Sequence, residues 1–278
     1  LMSDNSVKTL WMIGAGQMGQ ALYNGWCNAG LAIGEMILID PSQTADKLTL
    51  RANDRFMAMP NEATPIPDVL LFAIKPQMAN DVLPVYADYL QPHTLVISIM
   101  AGLGLDKMIR LLDKPTQPII RTMPNTPAMV GQGITAAFGN TSVSAHHRQI
   151  AESLLSAVGK SVWVDNEDHM HAITALSGSG PAYVFALIET MAQAGIEAGL
   201  DADLAMTLAR QTVIGSGALA AAKPEASAEE LRRNVTSPGG TTEAGLDVLL
   251  AKQSGLNELI TAAIKAAAKR SRALSGQG

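Results

Sequence analysis

Trp11-Met12-Ile13-Gly14-Ala15-Gly16-Gln17-Met18-Gly19, followed at residue 40 by an aspartate, is the stretch on which the fold turns. The apolar run Leu10 to Ile13 predicts a buried strand and Gln17 to Ala29 a helix, so the three glycines fall on a strand-to-helix turn. Gly14 suits the tight turn, Gly16 has no side chain to hold a pyrophosphate off the backbone, and Gly19 lets the helix pack close to the strand. The N–H groups opening that helix would then face phosphates. A second strand, Met36 to Ile39, ends at Asp40, where an acid accepts the adenine-ribose hydroxyls. The glycines alone would mark no more than a Gly-rich βα turn. In this setting they predict a nucleotide-binding fold.

The same grammar continues outward. Pro41 and Ser42 open a predicted helix to about Ala52, and 55–58 is a short strand. Val69 to Ile74 is a continuous apolar run of the kind a parallel sheet buries on both faces. Lys75-Pro76 follows at its carboxyl end, the side on which open α/β sheets bind ligands. Strands over 95–99, 118–123, 133–138 and 161–164 alternate with helices over 105–113 and 145–157. Ala101-Gly102 and Pro124-Asn125-Thr126-Pro127 are the intervening corners. The expectation is a Rossmann-type α/β domain, residues 1–165, with a doubly wound, mostly parallel sheet.

From Asn166 strand-like runs cease, and an all-α domain is predicted over 166–278, with helical segments at 166–176, 181–198, 201–222, 227–234 and 241–274. Several are apolar around most of their circumference, more than a domain of about 110 residues can cover alone. An intertwined homodimer is the expected solution. The longest uncharged stretch, His171 to Ile188, contains Ser177-Gly178-Ser179-Gly180-Pro181, which should break a membrane-spanning helix. It is read as buried protein, and no membrane association is expected.

A net charge of −5 supplies no basic footprint, so nucleic acid is not an expected partner. The lone Cys27 excludes an internal disulfide and is read as a small core residue; no metal ligand set is predicted. Met2 is the expected natural start, with Leu1 an addition, and no secretory pattern follows, so a cytoplasmic location is expected.

Within the helical half, Asn234-Val235-Thr236-Ser237-Pro238-Gly239-Gly240-Thr241-Thr242-Glu243 joins two helices. Its glycines and threonines would offer N–H groups and hydroxyls to a small carboxylate, although ordinary helix capping would use the same residues. This loop, with Ile13 to Gly19, Ala73-Ile74-Lys75-Pro76, Met123 to Pro127 and Leu176-Ser177-Gly178-Ser179-Gly180-Pro181-Ala182-Tyr183, resembles pyrroline-5-carboxylate reductase over essentially the whole chain.

The resemblance implies reduction of 1-pyrroline-5-carboxylate to L-proline by NADP- or NAD-linked hydride transfer, in a homodimer assembled into a larger ring such as a decamer. It implies that Ile13, Gly14, Ala15, Gly16, Gln17, Met18 and Gly19 hold the pyrophosphate, and that Pro41, Ser42 and Asn61 lie near the adenosine with Asp40. Ala73, Ile74, Lys75 and Pro76, with Ile99, Met100 and Ala101, would run toward the nicotinamide, and Asn234 would reach the cofactor from the helical domain. Ser237, Gly239, Gly240, Thr241 and Thr242 would hold the substrate carboxylate, with the Thr242 hydroxyl beside the ring nitrogen. Glu225 would be an acid contributed by the partner subunit.

Hydride addition to a protonated or hydrogen-bonded C=N needs no His, Cys or carboxylate dyad, so Thr242 orients rather than acting as a strong acid. His169, His171 and Arg121 are read as structural. One alternative, a β-hydroxyacid dehydrogenase-like enzyme, requires a lysine early in the second domain, and there is none between Lys160 and Lys223. The other is a non-catalytic nucleotide sensor. Asp40 should favour a 2′-hydroxyl over a 2′-phosphate; Ser42 and Lys47 could still accommodate the phosphate.

Overall fold

The computed structural model describes residues 7–42 and 48–275. Strands Val7–Ile13 (β1), Ile33–Ile39 (β2), Arg55–Met57 (β3), Val69–Phe72 (β4), Leu95–Ser98 (β5), Ile119–Met123 (β6), Gly133–Gly139 (β7) and Gly159–Trp163 (β8) form one sheet in the order β3-β2-β1-β4-β5-β6-β7-β8. Every neighbouring pair is parallel except β6 and β7. Strand order reverses between β1 and β4, and Ile13 at the end of β1 pairs with both Ile39 and Phe72. A crevice opens outside the carboxyl ends of strands at such a point.

Period-two alternation along β1 feeds two cores. Leu10 and Met12 pack with Leu22, Tyr23 and Trp26 of α1 (Gln17–Asn28) and with Ile150 and Leu154 of α4 (Ala145–Ser156). Trp11 and Ile13 pack on the other face, with Leu83 and Tyr86 of α2 (Ala79–Tyr86) and Met108 and Leu112 of α3 (Leu105–Leu112). Full burial of each large side chain contributes about 2–3 kcal/mol, so β1 is anchored from both sides. The Asp54 carboxylate accepts from the Tyr23 hydroxyl, the Met36 N–H and the Arg51 guanidinium, tying α1 to β2 at 2.8 to 2.9 Å. Burial alone would raise the Asp54 carboxyl; those hydrogen bonds, chiefly from Arg51, outweigh it and hold the group below its ordinary range.

Several local expectations change. The helix expected from Pro41 to Ala52 is absent over 48–52, while Lys47 lies outside the described residues. Helix α2 and its flanking 3-10 turns had no counterpart in the sequence reading. Pro84 inside α2 masks a helix whose buried residues, Ala79, Leu83 and Tyr86, follow helical spacing.

The chain divides into two compact units, residues 1–178 with 268–278, and 179–267. The first extends past the sheet because α5 (His169–Ile173) and the π-turn Thr174–Gly178 bury Met170, His171 and Ala175. The second contains α6 (Gly180–Glu197), α7 (Ala202–Ala222), α8 (Ala228–Asn234), α9 (Thr241–Leu249) and most of α10 (Leu256–Ser275). The single run expected over 241–274 is therefore two helices. Asp201 and Ser227 cap α7 and α8 by accepting backbone N–H bonds, and Gly199, at φ +100°, ends α6.

The expected break at Ser177 to Pro181 does not occur. The π-turn and a bend at Ser179 carry the chain from α5 into α6, with Pro181 in the first turn, where its missing N–H costs little. Residues 169–197 are long and apolar enough to cross a membrane by length and composition. Nor is most of this run buried in its own chain, with Leu176, Val184, Phe185, Leu187 and Ile196 all exposed. Only Ala192 is buried on the eighteen-residue α6, and only Ala205 and Ala209 on α7. Phe185, Leu204, Leu208 and Ile214 are each about half exposed, and a cleft of roughly 430 Å³ between α6 and α7 is lined by Phe185, Ile188, Met206 and Ile214 together with Glu189 and Arg210.

Candidate active site

Gly14 has φ +97°, a left-handed conformation that disfavours side chains, and a Cβ there would lie 2.7 Å from the Ala73 carbonyl. Its N–H donates to the Ile39 carbonyl at 2.8 Å, seating the turn against the end of β2. A Cβ on Gly19 would come within 2.6 Å of the Gly14 carbonyl oxygen, so α1 packs on the turn only with glycine at that place. At Gly16 nothing lies within 4 Å of the same construction. Two glycines are thus demanded by the protein's own packing, and the third opens onto empty space of the kind a pyrophosphate needs. Gly16 also caps α1 without a side-chain bond, leaving first-turn N–H groups for an anion.

Asp40 is 9% exposed and its carboxylate is built into the turn. One oxygen accepts from the Ala15 N–H at 2.8 Å, and the other from the Ser42 N–H at 2.9 Å and the Ser42 hydroxyl at 2.6 Å. Around it lies a cleft of about 460 Å³, lined by Ile13, Gly14, Gly16, Asp40, Pro41, Ser42, Ala73, Ile74 and Lys75 from among the sequence-predicted residues. Lys75 is exposed at the mouth, where a cation suits phosphate. Pro76 opens the 3-10 turn that leads into α2. The cleft suits a dinucleotide.

The remaining predicted cofactor residues fall elsewhere. Ala15, Gln17, Met18 and Gly19 build the turn and the start of α1 without lining the cleft. Asn61 is exposed, and its side-chain oxygen accepts from the Ala63 N–H and the Thr64 hydroxyl, folding the loop on itself. Ile99, Met100 and Ala101 follow β5 at its carboxyl end, outside the cleft lining. The sequence reading missed Ile39, Met59, Met78, Asp81, Val82, Val85 and Tyr86, which complete the lining. The helical spacing of Ala79, Leu83 and Tyr86 was the available signal.

Arg121 is 3% exposed and donates at 2.8 Å to Glu167, which also accepts from the Leu105 N–H at the start of α3. His171 is buried with Nδ1 2.9 Å from the Ser271 hydroxyl. Both are internal ties, away from the cleft lining, whereas His169 is exposed.

In the second unit, Asn234, Glu225, Ser237 and Thr242 are exposed. Gly239 turns the loop at φ +70°, and its N–H donates to the Glu243 carboxylate at 2.6 Å. Gly240 caps α9 without a side-chain bond, leaving the N–H groups of the Thr241-Thr242 turn to an outside acceptor. Two of the expected backbone donors are thus engaged within the chain, the Gly239 N–H by the Glu243 carboxylate and the Gly240 N–H by the Ser237 carbonyl at 3.0 Å.

A family model described as pyrroline-5-carboxylate reductase dimerisation matches residues 167–274, and one described as NADP oxidoreductase, coenzyme F420-dependent, matches 9–102. The pyrroline-5-carboxylate reductase of Haemophilus influenzae is 37% identical over 95% of this chain and 97% of its own, and that of Pseudomonas aeruginosa 37% over 98% of both. The chain belongs to the pyrroline-5-carboxylate reductase family. The solved reductase of Coxiella burnetii superposes with a TM-score of 0.84 at 34% identity, covering 96% of this chain and 98% of its own. The Plasmodium falciparum pyrroline carboxylate reductase, solved with NADP bound, gives 0.80 at 30% identity over 98% and 99%.

The glycines separate packing from binding. Gly14→Ala, strained and clashing, should destabilise by about 2–3 kcal/mol and lower Tm on the order of 5 °C. Gly16→Ala should hold Tm within about 1 °C yet raise the NADPH Kd roughly tenfold or more, by intruding on the ligand's space. Thermal melts with NADPH titration check both; a Gly16→Ala protein that binds like wild type would contradict the assignment.

Proposed function

We infer that this chain reduces 1-pyrroline-5-carboxylate to L-proline with NAD(P)H, the last step of proline synthesis. The observation that carries this reading is the coexistence, in one member of this family, of a glycine turn open to a ligand at Gly16 and a Gly-Thr loop opening α9 without a side-chain cap.

In this reading residues 13–19 hold the pyrophosphate, Asp40, Pro41, Ser42 and Asn61 serve the adenosine, and 73–76 with 99–101 serve the nicotinamide side. Asn234 adds a cofactor contact. Ser237, Gly239, Gly240, Thr241 and Thr242 form the substrate-carboxylate loop, with the Thr241 and Thr242 N–H groups and the hydroxyls as donors, the glycines shaping the turn, and no basic side chain required. Glu225 of the partner subunit adds an acid near the substrate. When bound, NAD(P)H supplies the hydride. The imine carbon takes that hydride and the ring nitrogen a proton, carried in by the basic imine or drawn from water, so C=N becomes CH–NH. The Thr242 hydroxyl hydrogen-bonds the nitrogen and fixes the face presented for transfer.

NADH should serve at least as well as NADPH, supported by the buried carboxylate at the end of β2. The working division falls between residues 165 and 166, supported by a dimerisation model that begins at residue 167. The half-exposed apolar faces of α6 and α7, within the span of the dimerisation model, support a homodimer in which a second copy covers them. A ring of such dimers, a decamer for example, in the cytoplasm and away from membranes, belongs to the same proposal and follows from the family resemblance.

Oxidation of NADH and NADPH with 1-pyrroline-5-carboxylate, run in parallel, tests the activity. Turnover should occur with NADH favoured or equal in kcat/KM, and Thr242→Ala should lower kcat/KM roughly 10- to 100-fold. Absence of turnover with both cofactors would return the sensor reading, and an unchanged Thr242→Ala rate would remove that residue from the site. In sedimentation of the soluble fraction the protein should run as a dimer or a multiple of it. A folded, active monomer, or recovery only with membranes, would contradict the assembly.

A further inference from the structure

Tyr86 ends α2, is 3% exposed and lines the cleft beside Asp40. Its hydroxyl makes one hydrogen bond among the described residues, to the Met59 sulfur at 4.0 Å, a weak acceptor at long range. The ring is held by other means. It stands edge-on to Phe72 with centroids 6.0 Å apart, and tilts on Tyr89 at 6.4 Å, which packs in turn on Trp11 at 5.2 Å. Aromatic packing therefore sets where the hydroxyl sits, and no strong polar partner meets it there.

A buried hydroxyl so poorly satisfied costs stability that phenylalanine would avoid. The cost has a purpose if a ligand supplies the acceptor. Met59, Met78, Val82 and Val85 make the lining mostly apolar here, with Asp81 among them, and the same cleft takes in Asp40 at the end of β2, where the nucleoside half of a dinucleotide rests in this fold. Burial first, then Tyr89 and Asp40, push the phenol up to about 12, so it remains a donor throughout the physiological range.

We propose that the Tyr86 hydroxyl donates a hydrogen bond to the adenosine ribose of the bound dinucleotide, making Tyr86 a cofactor-binding residue in the nucleoside half of the cleft. This rests on reading the cleft as the NAD(P)H site. The ring, already immobilised, orders nothing further on binding, so the bond forms without a side-chain entropy cost.

Tyr86→Phe, titrated with NADH and with ADP-ribose, which carries the adenosine half without the nicotinamide, tests the proposal. Both Kd values should rise by the same factor, about 5- to 10-fold, and the KM for NADH with them, while kcat at saturating NADH changes by less than about twofold and Tm is not lowered. Unchanged binding of both, or a loss confined to kcat, overturns it. NADH analogues lacking the 2′- or the 3′-hydroxyl of the adenosine ribose separate Tyr86 from Asp40, which reads the same sugar. One of them should bind wild type about 5- to 10-fold more weakly than NADH and lose most of that difference in Tyr86→Phe; equal binding of both to wild type, or the same loss in the variant, overturns the proposal. Wild-type protein that binds neither NADH nor NADPH overturns the cleft reading itself, and Tyr86 with it.

Discussion

A single carboxylate joins the parts of the nucleotide-binding half. Asp40, at the end of β2, accepts the Ala15 N–H from the middle of the glycine turn and two donors from Ser42. With Gly14 N–H bonded to Ile39, it closes the turn against the neighbouring strand. Charge-assisted bonds to backbone N–H groups are about twice as strong as neutral ones, and this one is nearly removed from water. The turn can then present Gly16 and the start of α1 in one arrangement, because the strand that carries the acid also fixes the backbone that meets the phosphates.

What lies around that junction follows from it. The sheet reverses between β1 and β4, so the carboxyl ends of β1, β2 and β4 surround one cleft, and Lys75 stands at its mouth. Two cores clamp β1 from opposite faces, which keeps the turn from drifting. The helical unit follows another logic. Helices α6 and α7 expose more apolar surface than they bury, a deficit that only a second surface removes, and the family's dimerisation model covers them.

Much of this was legible in the sequence, and the gaps have physical causes. The three glycines differ in what a Cβ would strike, and their spacing encoded that difference: Gly14 and Gly19 meet backbone, Gly16 meets nothing. The strands were legible because those buried on both faces read as unbroken apolar runs. Helix α2 was not, since Pro84 interrupts its pattern, and Tyr86 went unnoticed with it. The Ser-Gly-rich run at 177–181 looked like a break because flexible residues and proline usually make one. Here a π-turn and a proline in the first helical turn let the chain continue. Asp40 was read as a ribose acceptor that opposes a 2′-phosphate and not as a brace for the turn, because a bond from the Ala15 N–H cannot be seen until the turn has been folded.

Asp40 is thus assigned two tasks, holding the turn and reading the ribose, and Asp40→Asn separates them. Its amide oxygen can still accept from Ala15, with the bond from the Ser42 N–H given up, while the charge that opposes a 2′-phosphate is gone. Equilibrium titration of this variant with NADH and with NADPH should show the ratio of the two Kd values moving toward NADPH by about tenfold relative to wild type, roughly one unit charge in a partly buried site. A ratio that stays the same, whether both affinities fall together or neither changes, would contradict the account.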